Sequence, residues 1–123
     1  GQWPKDIDGG KVINHGLAIR AELGEAYRTM DAYAHASLNE SCSNSLLEGL
    51  ASGLPTLFVD SGSNKQVVAG HGVELNGDTT NEIAALRDNY TSLRDSLFAD
   101  TDSYSITHAA DNYENIFRQL TGK

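Results

Sequence analysis

Three short runs of small, β-branched or aromatic residues, Ala32–Ser37, Thr56–Val59 and Val73–Leu75, alternate along the chain with stretches of helical apolar spacing. Ile19, Leu23, Ala26, Tyr27 and Met30 form one apolar stripe, and Leu46, Leu47, Leu50 and Ala51 form the next. Apolar residues three to four apart line one face of a helix. Ser43 or Asn44 caps the second helix, and Gly53 with Pro55 ends it. A Gly62-Ser63-Asn64 turn leads into a short helix carrying Val67 and Val68, and Gly70-His71-Gly72 is a turn. Thr79 and Glu82 have capping-box spacing ahead of Ile83, Leu86, Tyr90, Leu93 and Leu97, with a break at Asp88-Asn89. Ile106, Ala109, Ala110, Tyr113, Ile116, Phe117 and Leu120 make the cleanest amphipathic helix, read as core. Val12–His15 reads as one more short strand, after a Gly-rich loop over Gln2–Lys11.

Strands alternating with helices predict an α/β fold: a partial Rossmann-like parallel sheet flanked by helices, with right-handed crossovers. The small residues of Ala32–Ser37 suit burial on both faces. Ligands of such sheets sit outside the carboxyl ends of the strands. Two loops fall on that edge, Leu38–Asn44 and Asp60–Asn64.

A chain of 123 residues, 39% of them hydrophobic, suits one domain of marginal stability. No apolar run approaches the roughly 18 residues of a membrane span. The first residues lack a signal-peptide core and a starting Met, as expected of an engineered start, a fragment or a processed product. The single Cys42 forms no internal disulfide and builds no zinc site, so a cytoplasmic setting is expected, peripheral to a membrane if the longer protein sits there. A net charge of -8 argues against nucleic acid as a partner. It leaves room for an anionic ligand held by backbone amides.

The informative stretch runs from Ser37 to Pro55: strand end, polar loop, helix start. Free N–H groups at a helix start, with about half a positive charge from the macrodipole, make an anion site without basic side chains. Glu40 in the loop and Glu48 about one turn into the helix flank it. A carboxylate repels phosphate, so each acid suits hydroxyls: a sugar ring on one side of a diphosphate and a ribose on the other.

Glu40 and Glu48 form an E-x7-E motif. Followed by Gly53-Leu54-Pro55 and by Val59-Asp60-Ser61-Gly62-Ser63-Asn64, it resembles the C-terminal domain of GT-B retaining glycosyltransferases, of the glycosyltransferase family 4 or glycosyl transferases group 1 type. The likeness runs from about Lys11 to Leu120. It implies a single truncated nucleotide-sugar-binding domain over residues 1–123, with a loop or linker at 1–10 and a packing helix at 103–120. Glu48 would bind the ribose, and Glu40, the catalytic candidate, would orient the donor sugar. Ser41, Cys42, Ser43, Asn44 and Ser45 would meet the diphosphate or donor sugar, largely through backbone amides. The resemblance implies no metal and no cofactor beyond the nucleotide diphosphate sugar itself. It implies a hexosyltransferase reaction with retained configuration on a glycan, lipid-linked or protein acceptor.

Ser41-Cys42-Ser43 replaces the glycine common in the family's loop, and the family's basic pair lies upstream, leaving Lys65 as the neighbour to consider. The family's sheet order 3-2-1-4-5-6 makes Val12–His15 strand three and Ala32–Ser37 strand four. The strands that separate them are missing. The chain is then expected to re-pair its edge or to dock on its N-terminal domain or a swapped neighbour, and to be inactive alone. The competing readings are a non-catalytic nucleotide-sugar-binding or oligomerisation module with this fold, and half of a sugar-nucleotide epimerase. Cys42 reads as an inert small residue, His35 as packed and hydrogen-bonded, His15 as a candidate on the acceptor side, His71 as a turn residue and His108 as a surface residue.

Overall fold

The computed structural model describes residue 16 and residues 19–122. The expected loop at the start, the Val12–His15 strand and His15 lie outside the described residues. Helix α1 spans Arg20–Thr29, strand β1 Tyr33–His35, α2 Asn44–Ala51, β2 Thr56–Phe58, α3 Asn64–Val68 and β3 Gly72–Glu74. Helices α4 (Thr79–Asp88) and α5 (Tyr90–Ala99), a 3₁₀ turn over Thr101–Tyr104 and α6 (Ile106–Thr121) follow. The strands form a parallel sheet in the order β1-β2-β3, with Tyr33 opposite Thr56 and Thr56 opposite Gly72. The fold is therefore the expected α/β arrangement of a parallel sheet flanked by helices.

The core gathers Leu46 and Leu50 of α2, Phe58 of β2, Val68 of α3 and Leu97 of α5, with Tyr33, Val67 and Tyr104 packed against it. One face of each of these three helices contributes, as the apolar spacing required. Tyr33 seats against α2 at Gly49, where an added Cβ would come within 3.0 Å of the tyrosine ring. Tyr27 of α1 meets Tyr33 edge-on at 6.0 Å between ring centres.

Several expectations are corrected. Ala34 and Ala36 are exposed, so β1 is not buried on both faces. Alternate strand residues face opposite sides, and α1 and α2 cover only the side of Tyr33 and His35. Asp78, not Thr79, caps α4: its carboxylate accepts from the Asn81 amide at 3.3 Å. Glu82 still reaches back, accepting from the amides of Asn76 and Asp78. The helix break falls where expected, with Asn89 folding its Nδ2 onto the Ala85 carbonyl at 2.8 Å.

Helix α6 forms over the expected residues, capped by Ser105 onto the His108 amide at 3.0 Å. None of its residues is buried, and Ile106, Tyr113, Phe117 and Leu120 are all more than 60% exposed. The stripe is therefore not core. Helical periodicity predicts a face that seeks cover, and no described element supplies it.

His71 sits in a bend but is buried. Its Nε2 lies 3.0 Å from Asp100 Oδ2, its Nδ1 3.4 Å from Ser96 Oγ, and its ring meets Tyr104 edge-on. Tyr104 donates its hydroxyl to the Val67 carbonyl at 3.1 Å. Together these contacts fasten α5 and the 3₁₀ turn to the α3–β3 corner. His35 is packed as expected, stacked on Tyr33, but its buried Nε2 has no hydrogen-bond partner among the described residues.

Candidate functional site at the carboxyl edge of the sheet

The carboxyl ends of β1 and β2 point the same way because the strands are parallel. The chain leaving β1 therefore runs beside the chain leaving β2. Ser43 caps α2 in extended backbone, its Oγ accepting from the Leu46 amide at 3.5 Å, while Ser43 O accepts from Leu47 at 3.1 Å. Ser43 and Ser45 hydroxyls lie 3.0 Å apart. Asn44 and Ser45 open the helix, so their amides have no acceptor inside it. Ser41, Cys42 and Asn44 are exposed, Ser45 is half-buried and Ser43 is buried. Cys42 is a free thiol.

Three consecutive residues of the first loop are bonded to the second. Asn39, in left-handed backbone at φ 58, donates its amide to Ser61 Oγ at 2.9 Å. The Glu40 carbonyl accepts from the Ser63 amide at 3.0 Å, and the Ser41 carbonyl accepts from Ser63 Oγ at 2.5 Å. Gly62 lies between, at φ +61. A Cβ there would press into the Glu40 carbonyl oxygen and come within 2.9 Å of the Glu40 amide nitrogen. Asn64 is fully buried and splits its Nδ2 between the carbonyls of Ser37 and Val59, 3.0 Å each, tying the two strand exits together.

The two acids stand on different supports. Glu40 is half-buried on the stitched loop. Glu48 is half-buried on α2 and lines a groove of about 310 Å³ with Leu23, Gly24, Tyr27, Ala51 and Ser52, walls that do not include Glu40. The Tyr27 hydroxyl is held above its ordinary pKa by burial first, then by Tyr33 and by the charge of Glu48. Nothing in the sequence marks Tyr27 and Gly24 as neighbours of Glu48. The partial apolar stripe of α1 was the available signal, since it had to face some helix.

Lys65 is not poised for a diphosphate. Its ammonium sits 2.9 Å from Glu74 and 3.3 Å from Asp60, and these carboxylates, Glu74 foremost, raise its pKa. Among the described residues no group of three His, Cys, Asp or Glu is placed to hold a metal ion. No described helix is long and apolar enough to cross a membrane.

A family model described as glycosyl transferases group 1 matches residues 2–92, a span that holds both acids, α2 and both loops. The chain belongs to the glycosyl transferases group 1 family. A GDP-mannose-dependent alpha-mannosyltransferase of Mycobacterium tuberculosis (strain CDC 1551 / Oshkosh) is 38% identical over 56 residues, 46% of this chain. The matched segment covers 15% of that relative's length. No solved structure gives a significant match.

Proposed function

We propose that this group 1 glycosyltransferase chain is the donor-binding part of a retaining glycosyltransferase, holding a nucleoside diphosphate sugar at the start of α2. One observation carries the reading. An eight-residue helix, capped by Ser43, begins at the carboxyl edge of a parallel sheet with Glu48 on its flank. The opening amides of such a helix favour the diphosphate, and a carboxylate on its flank favours the paired hydroxyls of a ribose. Family membership and the GDP-mannose dependence of the mycobacterial relative support the same ligand class.

In the reaction, the bond between the sugar's anomeric carbon and the diphosphate oxygen breaks. The acceptor hydroxyl oxygen bonds that carbon on the same face and passes its proton to the departing diphosphate oxygen. The nucleoside diphosphate leaves with the electron pair of the broken bond. Glu40 would orient the sugar, Glu48 the ribose, and the amides from Ser41 to Ser45 would steady the negative charge that builds on the leaving diphosphate. The acceptor, a glycan, lipid-linked or protein hydroxyl, would come from the side supplied by the rest of the protein. The uncovered stripe of α6 would meet that remainder or a neighbouring chain. The engaged state of Lys65 favours the second reading, a module that binds without turning over.

Calorimetric titration with GDP and GDP-mannose tests the proposal. Binding by the wild-type chain that falls about tenfold or more in Glu48→Ala is expected, since a charge-assisted pair of bonds is lost. Equal binding by wild type and variant would exclude the ribose role.

A further inference from the structure

We infer that the Ser61–Asn64 segment is a positioning element for Glu40, one that sets how well the site grips the sugar end of its donor. The inference rests on the donor reading above and assigns a role to residues outside both acids. Among the described residues, nothing bonds the Glu40 carboxylate. The backbone beneath it sets where its side chain starts. That backbone is held from the second loop at three successive residues: the Asn39 amide by Ser61 Oγ, the Glu40 carbonyl by the Ser63 amide, and the Ser41 carbonyl by Ser63 Oγ. Gly62 permits the close approach. Asn64, buried behind it, locks the Ser37 and Val59 carbonyls at the exits of β1 and β2.

Glu48 needs none of this, because α2 carries it and the core residues Leu46 and Leu50 anchor α2. The two ends of the ligand therefore depend on different parts of the fold. A group ordered in advance binds more tightly, because the complex does not have to order it. Loosening the second loop should cost more affinity for the sugar than for the nucleotide, because Ser41 shares that loop while Asn44, Ser45 and Glu48 stay on α2. Ser61 and Ser63 are the residues to change, because their hydroxyls make cross-loop bonds without filling the core.

The test titrates GDP and GDP-mannose against the wild-type chain, Ser61→Ala/Ser63→Ala, and Ser63→Thr, which keeps the hydroxyl. Hydrogen exchange over residues 38–43 is followed in parallel. The role predicts that the double variant loses some GDP affinity, because Ser41 shares the loosened loop, and about tenfold more affinity for GDP-mannose, the scale of one or two hydrogen bonds. It also predicts faster exchange in the double variant across residues 38–43, with Ser63→Thr behaving as wild type. A wild-type preference for GDP-mannose that survives in the double variant overturns the positioning role, as does equal weakening of both probes. A wild-type chain that binds neither probe overturns the donor reading itself, and that failure is told apart because it appears before any substitution is made.

Discussion

Gly62→Ala is the sharpest structural perturbation of the site. At φ +61 an alanine pays the left-handed backbone cost, about 1 kcal/mol. Its Cβ would then press on the Glu40 carbonyl, backbone that cannot rotate away. To relieve the contact the first loop must lift, forfeiting the cross-loop bonds of Asn39, Glu40 and Ser41. Three such bonds at about 0.5–1.5 kcal/mol each bring the total to roughly 2.5–5.5 kcal/mol. Urea unfolding followed by circular dichroism reads it directly, as a midpoint lowered by roughly 1.3–2.8 M at a slope of about 2 kcal/mol per M. Gly70→Ala is the matched control. Its φ is +90, and a Cβ there meets nothing within 4 Å, so only the backbone cost applies. Equal midpoint shifts in the two variants would refute the close approach of the loops.

Leu97→Ala empties a fully buried side chain that holds α5 against the sheet, and should cost about 2–5 kcal/mol in urea unfolding. Burial first, then the charge of Asp100, raises the Tyr104 pKa from 10.0 to about 12. The ionised form is disfavoured in the fold, so this contribution to stability is complete below pH 10 and fades as pH rises from 10 towards 12. Tyr104→Phe should flatten that alkaline limb, measured as stability against pH, and lose about 1 kcal/mol at neutral pH with the Val67 bond. The Asp100 pKa is lowered below 3.8 by its hydrogen bonds to Ser103 and then His71, so its contribution is present above that pH and lost as the carboxylate protonates below it. Asp100→Asn should therefore weaken the acid dependence of unfolding, and an unchanged acid limb would count against the His71–Asp100 contact.

Where structure depends on neighbours in the chain, the sequence was a good guide. The stripe of Leu46 and Leu50 locates α2, Ser43 or Asn44 marks its start with the cap falling on Ser43, and Asp88-Asn89 marks the break between α4 and α5. The cap at Asp78 was placed one residue late because Thr79 and Glu82 fit the same spacing. Features set by distant partners were not legible. His71 looked like a turn residue because Asp100 and Ser96, its partners, lie 29 and 25 residues away. Asn64 looked like the end of a turn, yet it bridges to Ser37, 27 residues back. The stripe of α6 told of a helix and of an apolar face but not of what lies against it, since periodicity records a demand for cover rather than its source. The acids were readable as a spaced pair, whereas the separate supports of Glu40 and Glu48 came only from the packing.

The most direct measurement of the central claim is an amide NMR titration of the chain with GDP. The account predicts shifts concentrated at the amides of residues 41–47, around the start of α2, and along the Glu48 flank. Shifts centred elsewhere, or none at ligand concentrations far above those of a working enzyme, would contradict it.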